Sequence, residues 1–278
     1  MLTLTDIKEK KKTGEKIVML TAYDFGMASF IDQTQVDMIL VGDSLGMVVL
    51  GYESTIPVTL EEMLHHCKAV KRGVKNTIIV GDMPFLTYHI SPEDAIRNAG
   101  RFIKEGMCQA VKLEGGVNVA PTIERLTTAG IPVMAHIGLT PQTAANMGGF
   151  KVQGRDLESA KKLFEDAKAV TESGAFSLLL ECIPTAISKA ITETVSIPTI
   201  GIGAGPYCDG QVLVTNDILG TFEKFLPKFA KQYVNLAPEI KKALSDFVQD
   251  VRGNKFPDEQ HSFGGGEEAL KAILSPGD

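Results

Sequence analysis

Six ionisable side chains stand at matching places in this chain, each at the end of an apolar run. Asp43 closes Ile39-Leu-Val-Gly-Asp43 and is followed by Ser44. Asp82 closes Ile78-Ile-Val-Gly-Asp82. Lys112 and Glu114 alternate with Val111 and Leu113. His136 follows Ala135, and Glu181 follows Leu178, Leu179 and Leu180. Asp43, Asp82 and Glu114 offer hard oxygen ligands, which suit Mg²⁺ or Mn²⁺. No second histidine is near enough in this set to suggest zinc. Glu181 has little polar company, and a carboxylate kept from water suits a general base or acid. Each residue also has a plainer reading. A Gly-Asp pair often marks a turn or a helix cap, Lys112 could snorkel at a rim, and His136 could be a satisfied structural histidine. What favours chemistry is that the six occur together.

The elements that carry them follow a repeating order. Short β-branched or apolar runs are expected as strands at Ile17–Thr21, Met38–Val41, Thr77–Val80, Ala110–Leu113, Pro132–Ala135, Ser177–Leu180, Pro198–Gly201 and Gln211–Val214. Between them, apolar residues recur three and four apart, as in Ala160, Leu163, Phe164, Ala167 and Val170. Helix starts are marked by Thr59 with Glu62 and by Ser91 with Pro92 and Asp94. Pro141 after Thr140 fits a first helical position in the same way. Strand–helix alternation implies parallel strands. Eight units favour a closed (β/α)8 TIM barrel, and the weak eighth strand keeps an open doubly wound sheet in competition. In a barrel the carboxyl ends of all strands share one face, where active sites of this fold lie. Lys112 and Glu114, two apart, point the same way; if that way is inward, they need partners or a metal.

The rest of the chain is read more briefly. Gly201-Ile-Gly-Ala-Gly205 could cradle a phosphate, but it lacks the P-loop lysine and dinucleotide spacing, so a rim turn is expected. Gly148 to Arg155 reads as a loop over the barrel mouth. From Thr221 the pattern is helical, over Phe229 to Val251 and again over Glu267 to Leu274. Residues 1–278 are therefore expected to form one barrel domain, with about 221–278 a helical C-terminal appendage of it.

Composition narrows the function classes. The 278 residues carry a formal net charge of −6, 44% hydrophobic and 22% charged residues. That balance argues against a nucleic-acid footprint, and the basic runs at Lys8–Lys12 and Lys71–Lys75 are short. Cys67, Cys108, Cys182 and Cys208 form no CxxC pair, which speaks against structural zinc and a disulfide framework. The N-terminus lacks an apolar signal region, and no stretch reaches a membrane span. A cytoplasmic protein without a nucleic-acid or membrane partner is expected.

The segments Leu20-Thr-Ala-Tyr-Asp24, Val41-Gly-Asp-Ser-Leu-Gly46, Asp82-Met-Pro-Phe85, Val111-Lys-Leu-Glu-Gly-Gly116, His136-Ile-Gly-Leu-Thr-Pro-Gln142, Gly149-Phe-Lys-Val-Gln-Gly-Arg155, Leu180-Glu-Cys-Ile-Pro184 and Gly201–Gly205 together resemble the ketopantoate hydroxymethyltransferase family of the phosphoenolpyruvate/pyruvate barrel superfamily. The resemblance implies transfer of a hydroxymethyl group from 5,10-methylenetetrahydrofolate to 3-methyl-2-oxobutanoate. The product would be 2-dehydropantoate, for pantothenate and coenzyme A. It further implies that Asp43 and Asp82 bind Mg²⁺ directly and that Glu114 completes the metal site, through a water or directly. Ser44 and Lys112 would hold the oxo acid, which chelates the same metal, with His136 beside it and Glu181 accepting the proton. A homodecamer of paired pentameric rings is expected on the same ground. Gly81, where alanine is the more usual family residue, and the tail from Gly264 depart from the pattern. The folate contacts leave no mark in the sequence. Two alternatives stay open: another Mg-dependent 2-oxo-acid lyase or mutase of the superfamily, and a ring-forming scaffold without catalysis. No cysteine here sits in the Gly-rich loop such lyases use, and a scaffold has no reason to keep these costly charges.

Overall fold

The computed structural model describes residues 2–147, 149 and 151–275. Its strands are β1 (Ile17–Thr21), β2 (Met38–Val41), β3 (Ile78–Asp82), β4 (Ala110–Glu114), β5 (Val133–Gly138), β6 (Ser177–Glu181), β7 (Thr199–Ile202) and β8 (Gly210–Leu213). All are parallel and paired in chain order, and β8 pairs back onto β1 through Ile17↔Gly210 to Leu20↔Leu213. That seam closes the barrel and excludes the open sheet. Five strands run past their expected ends, β7 by the single residue Ile202. β3, β4 and β6 take in Asp82, Glu114 and Glu181 themselves, and β5 takes in His136 and continues to Gly138.

The helices are α1 (Leu4–Thr13), α2 (Phe25–Asp32), α3 (Leu45–Val48), α4 (Leu60–Gly73), α5 (Pro92–Lys104), α6 (Ala120–Thr128), α7 (Leu157–Glu172), α8 (Thr185–Thr194), α9 (Thr215–Leu219), α10 (Ala237–Arg252) and α11 (Glu267–Leu274). α4 starts on a reciprocal cap between Thr59 and Glu62. α5 starts on Ser91 with Pro92 in its first turn. These caps satisfy amide donors that the helix leaves unpaired. Pro141 opens a 3₁₀ segment, Pro141–Met147, rather than an α-helix. Gly148 and Phe150 of the expected mouth loop lie outside the described residues.

Two apolar layers result from strand alternation. Ile79, Val111, Leu113, Ala135, Leu178 and Leu180 face outward and pack with the helix ring. Met19, Met38, Leu40, Val80, Ala110, Met134 and Leu179 face inward. Ile7 of α1 is fully buried in the inner cluster, and Leu2 and Leu4 pack against it. The N-terminal helix therefore stoppers the floor of the barrel. Each such side chain contributes about 1.5–3 kcal/mol on burial.

One expectation needs correction. The region after β8 is not helical from Phe229; α10 begins at Ala237, with Pro238 in its first turn. The residue before a proline is steered out of helical backbone, so Ala237–Pro238 can open a helix but not continue one. Phe229 is used differently: its ring lies over Gly203, where a Cβ would stand 2.7 Å from it. Of the Gly201–Gly205 stretch, Gly201 and Ile202 end β7 and Gly203–Gly205 make the rim turn, tied to α8 by the Ser188 hydroxyl donating to the Ala204 carbonyl. Among the described residues no helix is long and apolar enough to cross a membrane.

The β8–β1 seam depends on Gly210, because a Cβ there would stand 2.4 Å from the Ile17 carbonyl oxygen and 2.7 Å from the Ile17 Cβ. Gly210→Ala is expected to destabilise the fold by about 1–3 kcal/mol through overpacking. Urea denaturation at matched protein concentration measures it, and an unchanged midpoint would mean the seam yields without cost.

Candidate active site

Alternation alone lifts four charged groups into the mouth. Inward-facing Val80, Ala110, Met134 and Leu179 are each followed, two residues on, by Asp82, Lys112, His136 and Glu181. Glu114 stands one further step up β4. Register aligns them: Asp82 lies beside Lys112, Glu114 beside His136, and Gly138 beside Glu181. Gly138 has φ +98°, and a Cβ on it would stand 2.2 Å from the Glu181 carbonyl oxygen. The strand carrying Glu181 can approach β5 only because that position is glycine. Asp43 arrives by another route. It lies beyond the end of β2, where the chain turns at Gly42.

The side chains meet in one buried network. The Lys112 ammonium donates to Asp82 Oδ1 at 2.7 Å and lies 3.6 Å from Glu114 Oε1. The Asp43 backbone N–H donates to Asp82 Oδ2 at 3.1 Å. Gln142 Nε2 donates to Asp43 Oδ2 at 2.9 Å, and the Gln142 backbone N–H donates to Glu114 Oε2 at 3.0 Å. The Tyr88 hydroxyl donates to Gln142 Oε1 at 2.6 Å. His136 bridges two acids, with Nδ1 3.4 Å from Glu114 and Nε2 3.3 Å from Glu181. Those are ion-pair distances; neither ring nitrogen has an aligned hydrogen bond. Ser44 shares a 2.8 Å hydrogen bond with the Tyr23 hydroxyl.

Charge balance is the electrostatic feature of the site. Asp43, Asp82, Lys112, Glu114 and His136 are all at most 4% exposed. Burial and the neighbouring Asp82 and Glu114 hold the Asp43 carboxyl well above the ordinary range, against the pull of Lys112. Burial also raises Asp82, despite its contact with Lys112. Burial would lower Lys112, but Asp82, Glu114 and Asp43 outweigh it and raise the ammonium. Burial disfavours the Glu114 anion too, yet Lys112 and His136 bring that carboxyl below its usual value. Lys112 and His136 together answer Glu114, and an excess of acid groups is left at Asp43 and Asp82, whose raised carboxyls favour holding protons when no cation is present.

That excess fits a divalent cation. Among the described residues no three His, Cys, Asp or Glu side chains already stand at metal-ligand geometry. Mg²⁺ does not require such a cage, since it keeps several waters and binds through one or two carboxylates plus substrate oxygens. Asp43 and Asp82 are the pair that could hold it.

The plainer readings of single residues are set aside by these contacts. Asp43 is no helix cap, because its carboxylate goes to Gln142 and the cap position of α3 is Ser44. Lys112 does not snorkel: it is 3% exposed. Glu181 is less enclosed than its three leucines suggest, with a side chain 15% exposed at the rim. Tyr88 and Gln142 were not expected. Gln142 sits in the segment after His136, but nothing in its type or spacing marks it; Tyr88 belongs to the β3–α5 loop, whose return path to Glu114 is not written in the sequence.

Comparison with known proteins agrees over nearly the whole chain. The family model described as ketopantoate hydroxymethyltransferase matches residues 1–259. The 3-methyl-2-oxobutanoate hydroxymethyltransferase of Heliobacterium modesticaldum is 57% identical over 267 residues, covering 96% of this chain and 97% of that protein. The protein of the same name from Clostridium botulinum is 58% identical over 261 residues, covering 94% and 95%. Among solved structures, a phosphonopyruvate hydrolase in complex with oxalate and Mg²⁺ shares the fold with TM-score 0.61 at 11% identity, covering 98% of this chain and 95% of that one.

Burial and the nearby Lys112 would lower the His136 imidazole, but Glu114 and Glu181 outweigh them and raise it from 6.5 to about 9. A raised histidine stabilises the fold fully below about pH 6.5, and this contribution is lost as pH rises through about 9. In cation-free protein, ¹³C-labelled imidazole signals should show one histidine titrating near 9. His136→Gln should remove that part of the pH dependence of stability, and a normal titration of His136 would disprove the bridge to the two acids.

Proposed function

The chain belongs to the ketopantoate hydroxymethyltransferase family, and from that premise we propose how its barrel-mouth cluster works on 3-methyl-2-oxobutanoate. The enzyme is a hydroxymethyltransferase of pantothenate biosynthesis. The proposal concerns the residues, the cofactor, the one-carbon donor and the assembly. The observation that carries it is geometric: two buried carboxyl groups, Asp43 and Asp82, stand together at the mouth, linked by the Asp43 backbone N–H, with Lys112 donating to Asp82 alone of the two.

Asp43 and Asp82 hold Mg²⁺, with Glu114 completing the site directly or through a water. The cation supplies Lewis acidity to the keto and carboxylate oxygens of the oxo acid. Lys112, pinned between Asp82 and Glu114, presents positive charge to the oxygen that becomes negative as C3 loses its proton. Glu181 accepts that proton at the rim, and His136 holds its carboxylate at 3.3 Å. Proton transfer to a positioned side chain contributes about 10²- to 10⁴-fold. Ser44, oriented by Tyr23, binds the oxo acid beside Asp43. The resulting carbon nucleophile attacks the one-carbon unit that 5,10-methylenetetrahydrofolate brings to the open mouth; water supplies the hydroxyl group, and tetrahydrofolate leaves with one proton from that water and one replacing the proton taken from C3. A carboxylate and a keto oxygen on neighbouring carbons offer two oxygens at once; oxalate, which also carries oxygens on neighbouring carbons, is present with Mg²⁺ in the structure of the distant phosphonopyruvate hydrolase.

The chain is further proposed to assemble with copies of itself, as the decamer expected from the family. On α10 only Ala237 is buried. Ile240, Leu244, Phe247, Val248 and Val251 are 42–62% exposed, spaced along one helical face. An apolar stripe of that size marks an interaction surface. A second copy of the chain covers it, so residues 221–278 are an extension of the barrel domain rather than an independent unit.

Two measurements follow. Wild-type protein should exchange the C3 proton of 3-methyl-2-oxobutanoate with solvent deuterium only when Mg²⁺ is present, and Glu181→Gln should slow this about 10²-fold or more. Rapid exchange in that variant would place the base elsewhere. In sedimentation velocity the chain should run as a large oligomer, and Leu244→Glu combined with Phe247→Glu should break it into smaller species. A wild-type monomer would end the assembly proposal.

A further inference from the structure

Gln142 has no place in the reaction as described, yet it touches both ends of the carboxylate cluster. Its backbone N–H donates to Glu114 Oε2 and its side-chain Nε2 to Asp43 Oδ2, at 3.0 and 2.9 Å. Nε2 also donates to the Met83 carbonyl at 3.0 Å, and Oε1 accepts from Tyr88 at 2.6 Å. Gln142 is 3% exposed and Tyr88 1%.

A side-chain amide can face either way, and only its neighbours decide which. Here the neighbours leave no choice. The Glu114 backbone N–H can only donate, and it donates to the Tyr88 oxygen at 3.1 Å. The Tyr88 proton is thereby turned toward Gln142 Oε1. The Met83 carbonyl can only accept, so it takes the NH₂ side. With both ends set, Nε2 must face Asp43.

We propose that Gln142, oriented by Tyr88, is a positioning residue that selects which oxygens of Asp43 and Glu114 are left for the cation. The inference rests on the assignment of those carboxylates to Mg²⁺ made above. A donor on Asp43 Oδ2 leaves Oδ1 for the cation. The donor on Glu114 Oε2 keeps Oε1 turned to Lys112 and His136, at 3.6 and 3.4 Å, so the Glu114 oxygen on the Gln142 side is the one whose access to the cation Gln142 controls. An amide does this at no cost in charge. A carboxylate in its place would deepen the excess of acid groups, and a lysine would compete with the metal. Partners of this kind commonly account for about 10- to 100-fold in metal affinity.

The test is Mn²⁺ binding to the full-length protein, read from the electron paramagnetic resonance signal of free Mn²⁺ without substrate. Gln142→Met keeps length and bulk but removes the donor; its Mn²⁺ Kd should rise about 10-fold or more. Tyr88→Phe frees the amide to turn and should raise Kd in the same direction by about threefold. Asp82→Ala serves as the control that tests the metal assignment itself. If Asp82→Ala abolishes binding while Gln142→Met stays within about twofold of wild type, the positioning role is wrong and the metal site stands. If Asp82→Ala also binds normally, the metal reading falls and takes this inference with it. Should Gln142→Met not fold, an unchanged Kd in Tyr88→Phe overturns the proposal on its own. A purely structural role would lower the melting temperature of either variant and leave Kd in place.

Discussion

Three buried carboxyl groups share one ammonium and one imidazole at the mouth of this barrel, and much else in the structure answers that imbalance. Lys112 reaches Asp82 at 2.7 Å and Glu114 at 3.6 Å, and Asp43 keeps a strongly raised carboxyl. Burying such a group is costly unless it is paired. The surroundings reduce the cost with the His136 imidazole beside Glu114 and with dipoles: the Asp43 backbone amide and the Gln142 amide, which the Tyr88 hydroxyl orients. The part that remains is what a divalent cation relieves. A site balanced in its empty state would bind such an ion weakly, so on the proposed metal assignment the mismatch is a condition of function.

The barrel turns this electrostatic problem into a geometric one. Because side chains alternate along each strand, a polar residue two positions above an inward apolar one must also face inward. Val80 with Asp82, Ala110 with Lys112, Met134 with His136 and Leu179 with Glu181 are four uses of that rule on four neighbouring strands. The apolar layer beneath fixes the height of the charged layer above. Helices on the outside hold the strands through the opposite set of side chains, so the ring contributes no group to the chemistry while determining where every group stands.

Most of this could be read from the sequence because periodicity and strand ends are local signals. The eight strands, the capped helices α4 and α5, and the strand-end acids are all written in short windows. The weak eighth strand is instead decided by a non-local contact, the fit of Gly210 against Ile17 across the seam. Asp43 looked like one more strand-end acid, but it reaches the cluster through a turn after Gly42. Glu181 looked sealed and is a rim residue. Gln142 and Tyr88 escaped altogether, since their importance lies in hydrogen bonds spanning 54 positions along the chain. The helix expected from Phe229 failed for a local reason that composition hid: a proline near the start of α10 delays its entry.

The stoppered floor has a consequence for the order of events. Ile7, Leu2 and Leu4 close the amino end of the barrel, so the interior has a single doorway. Two reactants that must both visit the charged layer cannot pass one another inside it. Bound as proposed, against Asp82 and Lys112, the oxo acid lies at the bottom of that dead end. It has to arrive before the bulkier one-carbon donor covers the entrance, and its product has to leave after the donor has gone. On that assignment a sequential, compulsory-order encounter follows from a helix that packs only on the floor of the barrel.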